Sequence, residues 1–489
     1  MPAIDDTPGA PIDSGGARSS NRSIIPIAIA TFALLSLAVS ITSDGFLEAD
    51  GCTHYMYAKF AFSEPHYLIN IWGRPICTAL YAIPAQLGGR FAVRCTSLVL
   101  AIGVAFVSYA IARKQRIRPP ELALVFTLAQ PLVFLHSFAE LTELPFALLL
   151  GLAFLVYLNK QWMWFAILAS ILPLSRPEGF GFILLAAIVL LRRDRFVWLL
   201  LLPIPVVVWS YVGWREYASP PAYPWYLWLL KNWPYAERST YVSGSILHFV
   251  MLLPAVVSPL IFPAMLFGIW RALRSRQGSH RLIAVIPLMI LVGHSVLYAT
   301  GRMASSGEIR YMLIVAPFWA ILAAIGWERL FAHRWGRFEI KAAFAAAVLP
   351  CSVNLIYQVL PLVHQDDWLR ARGAVQWMRT SRFARTHPRV QAAHPGVYYF
   401  LDISPTDKYR STEWRRDLIA HPRPGTVLLW DWVYGTHNSD RQRIVEPAEI
   451  IAAGWIPVRL PRIEDGWTNR DSTWLVFVSP EAAGEQPAR

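Results

Sequence analysis

The sequence predicts a polytopic α-helical membrane protein, a bundle of about eleven spans followed by a small α/β domain, on three observations. Fifty-five per cent of the 489 residues are hydrophobic and only 16 % are charged, with a mean hydropathy of +0.38. A soluble chain of this length would carry far more charge. Apolar runs close to the length of a bilayer span recur through residues 24–362, and from Val363 onward the pattern becomes that of a soluble chain.

Residues 1–23, rich in Gly, Pro, Ser and Asp, read as a disordered cytoplasmic tail that ends in Arg18 and Arg22 before the apolar run at 24–43. That run is long and no small-x-small cleavage site follows it, so it is expected to stay as an anchor rather than leave as a signal peptide. Further spans are read near 93–112, 121–137, 144–158, 162–174, 179–191, 196–213, 246–270, 281–300, 311–328 and 342–360, several of them short. With the N terminus in the cytoplasm, the inward loops and tail of the membrane part carry 18 basic residues and its outward loops 10. This is the bias of the positive-inside rule. An odd number of crossings of the inner (plasma) membrane then leaves residues 363–489 outside, as an extracytoplasmic α/β domain.

The net charge of +13 does not mark a nucleic-acid binder. From Val363 onward there are 17 basic and 15 acidic residues, so only +2 belongs to the soluble part and +11 to the membrane part. Four cysteines, Cys52, Cys77, Cys95 and Cys351, are too few for a disulfide scaffold. Cys52 and Cys77 share one outer loop, where a bridge between them and a pair of unpaired apolar side chains are both open readings.

That first outer loop, residues 42–93, is not hydrophilic. His54, Tyr55, Tyr57, Phe60 and Phe62 alternate with small and polar residues, and Pro75 to Leu87 is apolar but short. Interfacial helices along the membrane surface are expected there. A second loop, 214–245, holds SPPAYPWYLWLLKNWPY, an aromatic-belt composition. In the soluble part, 368–380 reads as helix and 389–393, 397–401, 425–431 and 473–479 as strands, with helices over 409–420 and 447–453. It contains no Gly-rich phosphate loop, Cys/His metal cluster or nucleophile elbow.

Ten acidic residues of the membrane part fall on or near the outward side: Asp44, Glu48, Asp50, Glu64, Glu140, Glu143, Glu178, Glu216, Glu237 and Glu308. Carboxylates close to hydrocarbon are costly and tend to be kept for pathways or chemistry, although Asp44, Glu64, Glu216 and Glu237 read as solvated loop residues. Glu48 and Asp50 lie close together, and Asp50 and His54, four apart, share a face if the segment is helical. Partial desolvation would raise such a carboxyl toward the range of a general base; an N-cap role for Asp50 is the structural alternative. Short turns bring Glu140 with Glu143, and Arg176 with Glu178, to the same side. Residues 301–322 add Arg302, Glu308, Arg310 and Tyr311. Guanidinium groups at the bilayer edge suit a lipid-linked phosphate, which they grip bidentately while the tail stays in the membrane. Their structural alternatives are an ion pair for Arg176 and snorkelling for Arg310.

Taken in order, these segments resemble the C-type (GT-C) membrane glycosyltransferases, a superfamily that includes protein O-mannosyltransferases and lipid A aminoarabinose transferases. The likeness runs from about Asp44 to Leu330. It is carried by the acidic residue in a long aromatic first outer loop, the turns LTELPF and LSRPEGF, and the late Arg310-Tyr311 followed by an apolar span with proline.

The resemblance implies a polyprenyl-phosphate-linked sugar as donor and transfer with inversion, at the outer face, to a cell-envelope lipid, glycan or protein. Asp50 or Glu48 would be the base. Relatives often have adjacent Asp-Glu where this chain has Asp50-Gly51. Arg302 and Arg310, assisted by Arg176, would neutralise the departing phosphate, with His54, Glu140, Glu143, Glu178 and Tyr311 around them. No cofactor is firmly implied, and a divalent cation is left open. A transporter or flippase would favour internal repeats and helices broken near the midplane, neither of them clear here; a noncatalytic envelope-assembly protein would tolerate loss of Asp50.

Overall fold

The structure, a computed structural model, describes residues 24–216, 222–235, 243–259, 261–303, 305–331, 360–436, 443–458 and 474–480. The tail 1–23, Glu237, Cys351 and nearly all of the expected span 342–360 lie outside them.

Among the described residues five helices are long and apolar enough to cross a membrane, beginning with α1 (Ile24–Thr42). α2 (Ala49–Phe60) is not one of them, whereas α3 (Pro75–Lys114) is. α3 bends at Gly88 and Gly89; Gly89 has φ +59, which a residue without a Cβ adopts at little cost. The expected interfacial segment 75–87 and the span after it are therefore one helix broken by a kink.

The run expected to span at 121–137 is instead two short helices, α4 (Glu121–Leu128) and α5 (Pro131–His136), because Pro131 starts a new first turn. α6 (Glu143–Leu158), α7 (Trp162–Ser175) and α8 (Gly179–Leu191) are apolar but shorter than a full crossing. At about 1.5 Å per residue each is some 20–24 Å long. A short 3₁₀ segment, Phe196–Leu201, leads into α9 (Ile204–Arg215), and together they form the third long apolar element.

The run expected at 246–270 is broken by 112° between α10 (His248–Val257) and α11 (Phe262–Arg274). α12 (Gly278–Thr300) is another of the five long apolar helices, and Ile309–Val315 feeds α13 (Ala316–Phe331). The apolar window of Ile309–Leu330 is 89 % buried, against 22 % for the first helix, so α13 is the hub and α1 faces lipid. α11 crosses α13 at Gly268 and Gly326, where any Cβ would collide with Leu322 O or Ala264 O. Small residues thus permit the backbone-to-backbone approach that drives packing where no hydrophobic effect operates.

Beyond residue 360 comes α14 (Asp366–Thr380), then a sheet of β1 (Arg389–Ala392), β2 (Thr426–Asp431), β3 (Ile456–Pro457) and β4 (Trp474–Val478) in the order β1-β2-β4-β3. β1 and β2 are parallel and the other pairs antiparallel. Residues 397–401, expected as a strand, belong to a helix, α15 (Pro395–Leu401): Pro395 takes the first turn and His394 caps it by accepting from Gly396 N. The helix expected over 409–420 shrinks to Arg416–Ile419. Asp407 folds the chain before it into a turn, its Oδ1 accepting from the amides of Tyr409 and Arg410.

The first loop is not spread on an open surface. α2 is enclosed between the helices and this sheet unit, with the Phe46 ring 5.4 Å from Trp368 and 5.2 Å from Tyr399. Lys59 pairs with Asp402, and the Tyr67 hydroxyl meets Ser404 at 2.8 Å. Cys52 and Cys77 are both free and buried, so no bridge joins them; Cys77 instead approaches Ser175.

Candidate active site

The carboxylates of the first loop are placed from below by a residue the sequence reading did not single out. Arg94, on α3 just after its kink, is 1 % exposed. It donates to Glu140 (2.9 Å) and to the carbonyls of Ser40 (3.2 Å), Ser43 (2.9 Å) and Gly45 (2.5 Å). The end of α1 and the entry to α2 are thereby tied to one guanidinium. Glu140 is spent on this tie and does not join Glu143, although the two are three residues apart.

Glu48 is the N-cap residue of α2 without a side-chain capping bond, and Asp50 lies in its first turn. The capping alternative for Asp50 is therefore not what the structure shows. Both carboxylates turn to Arg310, at the start of the 3₁₀ turn before α13. Glu48 meets its Nη1 at 2.7 Å and Asp50 its Nη2 at 2.6 Å. The third nitrogen, Nε, is paired with Glu308 and lies 3.8 Å from Glu143. Arg310 does not snorkel; it is buried and enclosed by acids.

A second layer supports this one. Arg176 gives Nη1 to Glu143 (2.5 Å) and Thr142 (3.0 Å), and Nη2 to Glu178 (2.9 Å). Glu178 also lies 3.4 Å from His294, whose ring stacks on Tyr311 at 4.7 Å. Glu308, Glu143 and Tyr311 thus connect both arginines into one network, and Ser306 holds Glu308 and the Tyr311 hydroxyl. Five carboxylates (Glu48, Asp50, Glu143, Glu178, Glu308) surround two guanidiniums.

Burial pushes the Glu48 carboxyl up to about 8, overcoming the opposing pull of Arg310, with Glu308, Asp50 and Glu143 adding to the rise. His54 is stacked on Trp72 at 4.6 Å, and burial lowers it to about 4, so it is neutral at physiological pH. Arg74 was also passed over in the sequence. It is buried beside His54, donates to Ile71 O (2.8 Å) and Tyr235, and meets no carboxylate among the described residues. Its signal was a charge followed by Pro75 at the start of an apolar helix. Arg302, by contrast, is exposed and joins no ion pair among the described residues, so the structure does not bring it to the cluster. Among those residues no group of three His, Cys, Asp or Glu is arranged to hold a metal ion.

No protein-family model and no curated protein sequence matches the chain. Solved structures do. ArnT from Cupriavidus metallidurans in the apo state superposes with a TM-score of 0.62 at 13 % identity, over 94 % of this chain and 100 % of that one. The same protein bound to undecaprenyl phosphate gives 0.55 at 13 % identity, over 94 % and 99 %. Likeness at this identity speaks for the fold, and it spans both the helical bundle and the unit beyond it. The chain therefore shares the fold of ArnT from Cupriavidus metallidurans.

Proposed function

We propose that the protein transfers a sugar from a polyprenyl-phosphate-linked donor to a hydroxyl of a cell-envelope acceptor, with inversion, at the extracytoplasmic face. The observation that carries this reading is the pairing of the two first-loop carboxylates with one buried guanidinium, inside a fold whose ArnT example was solved with undecaprenyl phosphate bound. In the step, Asp50 takes the acceptor proton while the acceptor oxygen bonds to the anomeric carbon. The anomeric carbon–oxygen bond breaks, its electron pair goes to the phosphate, and polyprenyl phosphate leaves. Charge stabilisation by guanidinium groups is the main catalytic contribution.

Arg74 is the cation that first meets the phosphate, since it has no carboxylate to give up among the described residues. Arg310 is saturated and must exchange Asp50 for phosphate, which releases the base when the donor arrives. Glu48, with its carboxyl raised to about 8, is neutral at pH 7 and yields easily. As pH rises through about 8 it ionises and holds Arg310 more tightly, so affinity for polyprenyl phosphate is expected to fall several-fold between pH 7 and 9. Glu48→Gln should flatten that dependence. Titrations of polyprenyl phosphate at both pH values check this, and identical pH dependence in wild type and variant contradicts the exchange.

The reading needs residues 363–489 outside the cell, which the 18-to-10 distribution of basic residues supports. Fusions after Val363 are expected to give alkaline phosphatase activity. Fluorescence from a cytoplasm-dependent reporter at the same point, without phosphatase activity, would exclude this orientation.

A further inference from the structure

Helix α6 begins at Glu143 in the carboxylate cluster and ends at Leu158, about 24 Å away, at the opposite end of the bundle. Five segments converge there on a cavity of about 400 Å³. They are the end of α3, the turn after α6, the start of α7, the turn after α8 and the start of α12. Four cations line it, Lys114, Arg116, Lys160 and Arg193, and no carboxylate does. Arg116 (φ 59) and Lys160 (φ 57) are held in the left-handed region that non-glycine residues rarely adopt, so two of the four are placed by unusual turns.

Gly278 and Ser279 of the α12 N-terminus form another part of the wall. No side chain caps that terminus, and Ser279 is fixed by donating to Gln115 at 2.8 Å. Unpaired amides and the positive end of a 23-residue helix add to the four charges. Cations gathered from separate segments repel one another unless an anion lies between them.

Tyr157, Leu158 and Trp162 give the wall an apolar and aromatic side, and Gln115 and Gln277 complete it. Arg195 lies over the Trp162 ring, and the next residues, Phe196 and Val197, are exposed apolar side chains, as is Leu200. A basic recess beside an exposed apolar strip fits a molecule with a phosphate head and a hydrocarbon tail better than a free anion.

We propose that this cavity binds the headgroup of an anionic phospholipid, with preference for one bearing two phosphates, which four cations neutralise best. The site is independent of the transferase reading, because it shares no residue with the carboxylate cluster and would exist in a transporter of the same fold.

The test is native mass spectrometry of the full-length protein in detergent, after incubation with a diphosphatidyl lipid, a monoanionic phospholipid or phosphatidylcholine. Wild type is expected to retain the diphosphatidyl lipid most and phosphatidylcholine least. The triple variant Lys114→Gln, Arg116→Gln, Arg193→Gln should retain at least tenfold less of the anionic lipids. Arg274→Gln with Arg276→Gln, exposed cations outside the cavity wall, should retain as much as wild type. Should the triple variant lose its fold, the exposed Arg193→Gln alone carries the test, with a several-fold loss expected. Equal retention of anionic and zwitterionic lipid, or no loss in the cavity variants, overturns the proposal. So does binding of inorganic pyrophosphate to the cavity with no lipid retained, which would make it a site for a free anion.

Discussion

Arg94→Ala is expected to destabilise the protein by about 3–5 kcal/mol, the range for a buried ion pair broken from one side. The guanidinium is 1 % exposed, and its partner Glu140 is fully buried. Removing it strands that carboxylate and the carbonyls of Ser40, Ser43 and Gly45 together. Arg94→Lys keeps a charge but cannot reach all four acceptors, so it should recover only part of the loss. Arg94→Leu with Glu140→Leu should recover the share due to the stranded carboxylate, because both desolvated charges disappear, and leave the share due to the three carbonyls. Reversible unfolding in mixed micelles measures all three. A loss below about 1 kcal/mol in Arg94→Ala would mean that the tie is not what fixes the first loop.

The helical class was legible because it rests on composition and on apolar runs of residues. The breaks were not. Pro131 and the 112° break between α10 and α11 interrupt continuous apolar stretches, and hydropathy alone does not distinguish a crossing from two short helices. Residues 397–401 have strand composition, yet the His394 cap and Pro395 decide for helix.

The site was legible as a set of residue types on one side of the bundle, but their partners were not. Glu140 and Glu143 are neighbours in sequence and go to different arginines, since which guanidinium a carboxylate meets depends on how α3, α7 and α13 pack. His294 had a readable signal, a polar ring in an apolar helix, as Arg94 had a charge at the edge of one. Arg302 and Arg310 looked equivalent at a distance of eight residues. Only the turn at Ile309–Val315 buries the second and leaves the first in solvent.

Asp50→Asn should lower the rate of sugar transfer by on the order of a hundredfold or more while the protein stays folded, because the amide keeps the shape and loses the proton acceptor. The structure sharpens this expectation. Asp50 does not cap α2; its carboxylate is 2.6 Å from Arg310, so the substitution tests chemistry rather than helix stability. Glu48→Gln should be much milder, since Glu48 is already neutral at pH 7. Polyprenyl phosphate binding to Asp50→Asn should be at least as tight as to wild type, because Arg310 is released from one of its carboxylates. The measurement that tests the central claim most directly is transfer of labelled sugar from a polyprenyl-phosphate donor to membrane acceptors by wild type, Asp50→Asn, Glu48→Gln and the double variant. The expected result is loss in both proteins that carry Asp50→Asn and near-normal transfer in Glu48→Gln, with release of polyprenyl phosphate matching the sugar transferred. Full transfer by the double variant would remove the first loop from the chemistry and contradict the account.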